Sequence, residues 1–572
     1  MIKQNFRLLV KNKIYLICFL SFAVFLTAIL GKAFYDAAIV KNIFGAYDAA
    51  HDVFRKCAGL VCYYVIFMLF LSLYAFDLNR LQGTDEMVRS IDKKRELKGR
   101  RWALGIWNLF FTCLVLVIHA VAFSQSYFRH NMRFLFQIIV FIIFNYFAVG
   151  MVMITAAECI SLISKIRYQI LLAIPLSILF GGFFKERLYE NIENEELFYK
   201  IYAWIQMITP AGGKWAMQKH IGQPVQLHQV GVILLWGAVF GLLISFTLHS
   251  RRRTWICMLF SAFLILALPY EEMGQSYYYG NGVGYPMYHY YEWIDNKNEP
   301  KIEQIEQSGG FEVSDYDMEF TVFTCLGAKV TMTPNKSELP QYIFTLYHPY
   351  HIMGICDQDG KKLNYERDGD YLTVYAPQDK SVRQITVSYY GNGAELYSQM
   401  AGINLLPGTC FYPVPGFHQL YGPNAYGIFE FSMVYLEKAA NFRVRVRAID
   451  RVYSTLPETD KNRFEGSGDA FGLFAGMLEK TVVGNTTFVY SSLEKTEQGG
   501  FSSWEDVTEY AALLYEKSGR EELNLSGKTV VTLPTVSFYE PLAHGNYLLL
   551  HDFVQMGDLD YLRKMVEEEV VE

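Results

Sequence analysis

Between Ile14 and Leu268 the chain is a succession of apolar runs of membrane-spanning length: Ile14 to Leu30, Cys57 to Phe76, Trp102 to Phe123, Phe134 to Ser161, Ile170 to Phe184, Val230 to Leu248 and Trp255 to Leu268. Hydrocarbon offers no partners to backbone N–H and C=O groups, so each run of about 20 residues reads as a helix that satisfies its own hydrogen bonds. The pattern predicts about seven transmembrane helices, the fifth and seventh short. From Tyr270 onward the period changes. "QYIFTLYH", "LTVYAP", "ITVSYY" and "FRVRVRA" alternate or run apolar over strand length, with "DQDG", "RDGD" and "GNG" as turns. Later, "SSWEDVTEYAALLYEKSG" has a Ser cap and helical spacing, "TVVTLPTVSF" reads as a buried strand, and "FVQMGDLDYLRKMVEEEV" as a charged helix. The expected fold is a polytopic α-helical membrane bundle followed by a mostly β sandwich or saddle with a small α/β C-terminal part.

The expected organisation is a short cytoplasmic segment over 1–13, a membrane region over 14–269, a Tyr-rich linker over 270–300, a β domain over 301–450 and a strand/helix extension over 451–572. In "MIKQNFRLLVKNK", Ile2, Phe6, Leu9 and Val10 fall at helical spacing with Lys3, Arg7 and Lys11 on other faces. That suits a basic amphipathic helix in the inner headgroup layer, the alternative being a frayed basic terminus. The first apolar run is long and lacks a clean small-x-small site, so it reads as an uncleaved helix and not as a signal peptide.

Charge gives the direction. Lys3, Arg7, Lys11 and Lys13, the bases from Arg80 to Arg101, Lys165 and Arg167, and Arg251 to Arg253 all fall on one side if the amino terminus is cytoplasmic, as the positive-inside rule expects. Seven crossings then place everything after Tyr270 outside the cell, in a multi-pass protein of the cell membrane. The formal net charge of −6, with no basic patch interleaved with aromatics, excludes a nucleic-acid partner. The nine cysteines lack C-x-x-C spacing; Cys18, Cys62, Cys113, Cys159 and Cys257 sit in apolar runs, and Cys325, Cys356 and Cys410 form no disulfide framework.

"LQGTDEMVRSIDKKRELKGRR" stands between the second and third runs. Thr84 can cap a helix, Asp85 and Glu86 fall in its first turn where the helix dipole favours anions, and Met87, Val88 and Ile91 form an apolar face beside Arg89. A short cytoplasmic helix of this kind can dock on a soluble partner; the alternative is a charged loop held by the positive-inside rule. The segment resembles the first cytoplasmic loop of ABC type-2 transporter permeases, as do the basic amphipathic start and the polar loop Lys185 to Gln229 with "MITPAGGKWA". The resemblance covers about Met1 to Leu248. It implies that Thr84, Asp85, Glu86, Met87, Val88, Arg89 and Ile91 form the coupling helix that meets a separate ATP-binding subunit. It also implies a homodimer, or a heterodimer with another permease. The run Trp255 to Leu268 departs from the family's usual six helices. Gly212 to Lys214 lacks the spacing of a phosphate loop, so ATP hydrolysis is expected only in a partner.

Within the apolar runs, Asn108, His119, Asn145 and Glu158 are polar residues that usually face a bundle interior or a watery path, either as interhelical hydrogen-bonding groups or as lining of a translocation route. Asp77 reads as interfacial. In the linker, Tyr277 to Tyr279, Tyr288, Tyr290 and Tyr291 suit the outer membrane interface, with a sugar-binding strip as the alternative.

"ITVSYYGNG" followed by "LLPGTCFYPVPGF", "GIFEFSMVY" and "FRVRVRA" resembles the amino-terminal β domain of aminopeptidase N-like zinc peptidases over about Phe311 to Leu533. Their H-E-x-x-H is absent, and the sequence ends where the catalytic domain would be starting. "AGMLEK" near Glu479 carries Leu478 where that family's Gly-x-Met-Glu-Asn motif has no such break. His348 and His351 flank Pro349 without a third ligand of suitable spacing, and His418, His544 and His551 stand isolated. No catalytic residue, metal site or cofactor is assigned. The sequons at Asn335, Asn485 and Asn524 are chance matches if the source is bacterial. The expectation is a permease subunit whose outer domain binds cargo; the alternatives are a membrane-anchored extracellular scaffold with an inactive peptidase-like domain, and a membrane peptidase.

Overall fold

The computed structural model describes residues 2–36, 49–83, 93–126, 129, 131–163, 165–181, 201, 204–205, 207–208, 220–268, 303–377, 381–392, 397–423, 429–493, 526–533 and 542–551. The segment Thr84 to Ile91, the Tyr-rich linker, the stretch "SSWEDVTEYAALLYEKSG" and the charged C-terminal segment lie outside the described residues. Two compact units emerge, Met1–Gly212 with Gln223–Gly280, and Gly213–Gly222 with Asn281–Glu572.

The first unit is helical. It contains α1 (Ile2–Lys11), α2 (Lys13–Tyr35), α3 (Ala49–Leu81), α4 (Lys93–Ser124), α5 (Met132–Ile142), a π-helical turn (Ile143–Ala148), α6 (Val149–Ser161), α7 (Ile166–Phe180), α8 (Leu227–Thr247) and α9 (Arg251–Ala267). The expected amphipathic start is present as α1, with Leu9 buried and Ile2 and Val10 exposed. Asn12 adopts an extended conformation and its side chain accepts the Tyr15 N–H at 2.8 Å, which ends α1 and caps α2. Five helical stretches are long and apolar enough to cross a membrane: Lys13–Tyr35, Val53–Leu81, Lys94–Ser124, Met132–Ser161 and Leu227–Thr247. The fifth expected run forms a helix of 15 residues interrupted by Pro175, about 22 Å long against a hydrocarbon thickness of about 30 Å. The seventh forms α9, 17 residues that open with three arginines. Large apolar side chains such as Val24, Phe136, Leu171 and Phe246 stay exposed on these helices, as an apolar solvent allows and water would penalise.

The second unit is mostly β. Its largest sheet has seven strands in the order Glu458–Asp460, Arg463–Gly468, Ala440–Arg447, Val313–Val322, Leu326–Pro334, Ile385–Gly391 and His351–Asp357. Ala440–Arg447 runs parallel to Val313–Val322, and the other neighbours are antiparallel. The "FRVRVRA" alternation follows directly: Phe442, Val444 and Val446 are buried, while Arg443 and Arg445 reach Asp317 and Glu319 on the outer face at 3.7 and 3.3 Å. Gly360 and Gly369 take positive φ in the "DQDG" and "RDGD" turns, a conformation that favours glycine. Two four-stranded sheets and a two-stranded ribbon accompany the large sheet. Strands beyond residue 450 belong to it, and one apolar core continues from Phe311 to Ala475. A five-stranded sheet follows, in which Thr529–Leu533 from the "TVVTLPTVSF" segment runs parallel to both neighbours. That doubly flanked position suits its buried Val530 and Val531.

Candidate functional site

One face of α4 carries Arg101, Asn108, Thr112 and His119, spaced seven, four and seven residues apart. At 3.6 residues per turn these positions fall within an arc of about 40°. Each has a partner of its own. The Arg101 guanidinium holds Glu158 of α6 in a two-point contact, Nη2 to Oε1 at 2.5 Å and Nε to Oε2, with Glu158 only 1% exposed. Asn108 accepts from the Tyr64 hydroxyl and donates to the Phe147 carbonyl at 2.8 Å. Thr112 donates back to Asn108 O at 3.0 Å. His119 Nδ1 lies 2.8 Å from Val115 O, so that nitrogen carries the proton, and the ring edge meets Phe54.

The π-helical turn supplies acceptors that an α-helix would spend internally. Phe147 O receives Asn108, and Asn145 donates to Phe141 O at 3.0 Å on its own helix. Tyr146 packs against Tyr64 with the rings tilted and their centres 4.9 Å apart, and donates to Cys57 O at 2.8 Å. Of the four polar residues expected within the bundle, Asn108 and Asn145 therefore lie at one level, with Glu158 and His119 apart from them. From Arg101 to Asn108 the axial rise is about 10 Å, and from Asn108 to His119 about 16 Å. Hydrogen bonds between helices account for Asn108 and Glu158.

A second group was not singled out from the sequence. Arg100 is buried and all five of its N–H groups are used: Nε to Asn5 Oδ1 at 3.3 Å, Nη1 to Ala75 O at 2.7 Å and Phe76 O at 3.3 Å, and Nη2 to Asn79 Oδ1 at 3.1 Å and Glu96 Oε1 at 2.9 Å. It joins α1, α3 and α4. Beside it Arg80 pairs with Asp77 at 3.1 Å and donates to Ile163 O at 3.2 Å, where Gln169 Nε2 also donates at 2.8 Å. Asp77, expected at the interface, is buried in this group. The residue spacing of the α4 face was readable; the role of Arg100 was hidden among neighbouring bases that the positive-inside rule already explained.

In the β unit several of the histidines have partners. Asp370 accepts both the backbone N–H and Nδ1–H of His348, at 2.6 and 3.1 Å. His418 Nδ1 faces Glu306 at 2.8 Å, and His544 Nε2 meets Asp469 at 2.5 Å under the Tyr435 ring. His351 lies beside Tyr390, and His551 ends a strand. Arg367 donates to Gly369 O, Leu346 O and Tyr347 O at 3.0, 3.1 and 2.9 Å and also to Tyr350 O; burial lowers its pKa, with the nearby Asp370 charge opposing. Cys410, fully buried at positive φ, has its thiol pKa pushed well up by burial. Among the described residues no group of three or more His, Cys, Asp or Glu side chains is placed to hold a metal ion.

No family model matches the chain, and no curated protein does. Solved structures with partial likeness include the M1 zinc metallopeptidase from Deinococcus radiodurans, with 14% identity and a TM-score of 0.28 over 43% of this chain and 61% of that one. A two-domain M1 zinc metallopeptidase variant bound to L-arginine has 14% identity and a TM-score of 0.31 over 48% and 66%. Yeast leukotriene A4 hydrolase in complex with bestatin has 12% identity and a TM-score of 0.32 over 48% and 46%. The chain thus spans less than two thirds of the length of these structures.

Proposed function

We propose that this chain is the membrane-spanning permease subunit of an ATP-driven transporter of the ABC type-2 kind. A separate ATP-binding subunit docks on the segment Thr84 to Ile91, and a β-rich extracellular region receives or selects cargo. The observation that carries this reading is the Arg100 clamp. α3 and α4 have 33 and 32 residues, about 50 Å each against a hydrocarbon core of about 30 Å, so both are longer than a single crossing needs. The segment 84–92 is the short connection between them. Arg100 ties the two helices to each other and to α1, and Arg80 ties α3 to the end of α6. A push on the connection would therefore move helices together instead of being absorbed by a slack loop.

Sidedness has support of its own. His220, in the connection between α7 and α8, belongs to the β unit: its carbonyl accepts the Met477 N–H at 2.6 Å and its ring faces Ala475 O at 3.2 Å. The charge pattern expects the α7–α8 connection and the region after Tyr270 on the same, outer side. The partner is a second permease copy or a related chain.

The test is purification of the intact membrane complex. An ATPase should co-purify, and Asp85→Lys with Glu86→Lys should abolish stimulation of its turnover while leaving the chain folded and inserted. A chain that never retains an ATPase under mild extraction defeats the proposal. The independent core of the β unit favours one other reading, an extracellular scaffold with the helices as anchor. Deleting the region after Tyr270 separates the two, since a scaffold then loses all function and a permease keeps ATPase coupling.

A further inference from the structure

Beside the Arg101–Glu158 pair the helical unit holds a cavity of about 600 Å³, within the size range of small-molecule sites. α4 contributes Lys94, Lys98, Arg101 and Trp102, α6 contributes Glu158, and the start of α9 contributes Arg253. Four cations thus surround one carboxylate. Both oxygens of that carboxylate are already held by Arg101. Among the described residues, Lys94, Lys98 and Arg253 have no carboxylate within ion-pair distance. Three unneutralised positive charges around one concavity cost energy by mutual repulsion, which an anionic occupant would relieve.

The turn between α8 and α9 fixes the third of these cations. His249, a non-glycine residue at φ 54°, lets its own N–H reach Phe246 O at 3.0 Å and the Ser250 N–H reach Ser245 O at 2.9 Å. This is a strained but tight C-terminal closure that starts α9 at once. Ser250 then occupies the N-cap position without a side-chain capping bond, and it lines the cavity with Arg253. The indole of Trp102 is half exposed, 54%, and lines the same cavity from α4. Basic groups, a helix start and an indole around one cavity suit an amphiphile with an anionic head.

We propose that this cavity binds the phosphate group of an anionic ester, with Lys94, Lys98 and Arg253 contacting the phosphate and Trp102 packing on the ester's apolar part. Arg101 serves as the wall that keeps Glu158 neutralised. The source is either a lipid headgroup from the leaflet on that side or a soluble phosphate ester. The site does not rest on the transport reading, because it needs neither an ATPase nor cargo.

The experiment uses the purified full chain in neutral detergent, titrated with dioctanoyl phosphatidic acid, dioctanoyl phosphatidylcholine and glycerol phosphate. The readout is the part of the tryptophan fluorescence change that Trp102→Phe removes. Phosphatidic acid is expected to saturate the signal, and Lys98→Gln with Arg253→Gln to weaken it by at least about tenfold, the loss of one charge-assisted hydrogen bond or more. These side chains are exposed, so the fold is not at risk. Arg251→Gln with Arg252→Gln removes the same total charge, beside Arg253, without touching the cavity lining, and should change affinity by less than about twofold. Competition by glycerol phosphate at equal affinity assigns a soluble ester; binding of the lipid alone assigns a headgroup. Equal binding of phosphatidylcholine, or an unchanged affinity in the Lys98 and Arg253 variant, overturns the proposal.

Discussion

A Cβ on Gly150 would collide with Asn108 Oδ1 and lie under 3 Å from Cγ and Nδ2 of the same carboxamide. The glycine is therefore what lets Asn108 reach both Tyr64 and the Phe147 carbonyl. Gly150→Ala has two opposing effects. It gains about 1 kcal/mol of helix propensity, but overpacking and the displaced amide cost about 1–3 kcal/mol, more when a buried donor is left unpaired. The net expectation is destabilisation. In an Asn108→Ala background the obstructing atoms are gone, so the same substitution should become neutral or stabilising. Unfolding of the four proteins in mixed detergent gives the coupling energy, and a value above about 1 kcal/mol is expected. Additive effects would mean that Asn108 and Gly150 do not meet. At this scale the sequence was partly legible: Asn108 and Glu158 stand out as polar groups in apolar runs, while Tyr64 and Tyr146 read as apolar and their hydroxyl chain did not show.

Arg100 decides more at the level of helices than as a single residue. α1 is attached to the rest of its unit by Asn5 on Arg100 and by Phe6 stacked at 4.9 Å on Trp107. Arg100→Met keeps a long apolar stem but leaves Glu96 and Asn79 without the cation between them, a loss of about 3 kcal/mol on the scale of broken buried pairs. The expected readout is local: faster trypsin cleavage at Lys11 and Lys13, where α1 meets α2. Arg101→Met breaks an equally close pair that makes no bond to α1, so it should destabilise the unit without raising cleavage there. Equal cleavage in both variants would remove Arg100 from the anchoring of α1. The apolar runs located α2, α3, α4, α5–α6 and α8, because burial in lipid and burial in protein demand the same side chains. They understated α3 and α4, whose charged ends continue the helix beyond the apolar stretch. The strands "ITVSYY" and "FRVRVRA" were readable for a similar reason, since alternation follows from one buried face. The parallel pairing of Ala440–Arg447 with Val313–Val322 was not, because a partner more than a hundred residues away leaves no trace in local periodicity.

Across the whole chain, two units with separate cores imply separate unfolding transitions, and the β unit should show an alkaline limit of its own. Its core encloses Tyr316, Tyr389 and Tyr412, all buried. Tyr316 donates to Pro413 O at 3.1 Å and Tyr389 to Phe411 O at 2.5 Å. Burial raises the pKa of all three well above the ordinary tyrosine value, and that of Cys410 above the thiol value, because each would have to ionise away from water. The sign follows from which state binds the protons. The folded pKa lies above the unfolded one, so the stabilisation is fully present below the unfolded pKa, about 10 for tyrosine, and is lost as pH rises from there toward the folded value. Each tyrosine then costs about 1.4 kcal/mol per pH unit, and Cys410 begins its own contribution above about pH 8.5. The β-unit transition, followed by mass spectrometry as the temperature at which Cys410 becomes reactive to a maleimide, should be flat to about pH 8 and fall steeply above pH 10. Tyr389→Phe lowers the midpoint at neutral pH, because Phe411 O loses its donor, yet makes the alkaline fall shallower by one tyrosine's share. A midpoint that does not move between neutral and strongly alkaline pH, or a slope untouched by that substitution, would show that these hydroxyls do not set the limit.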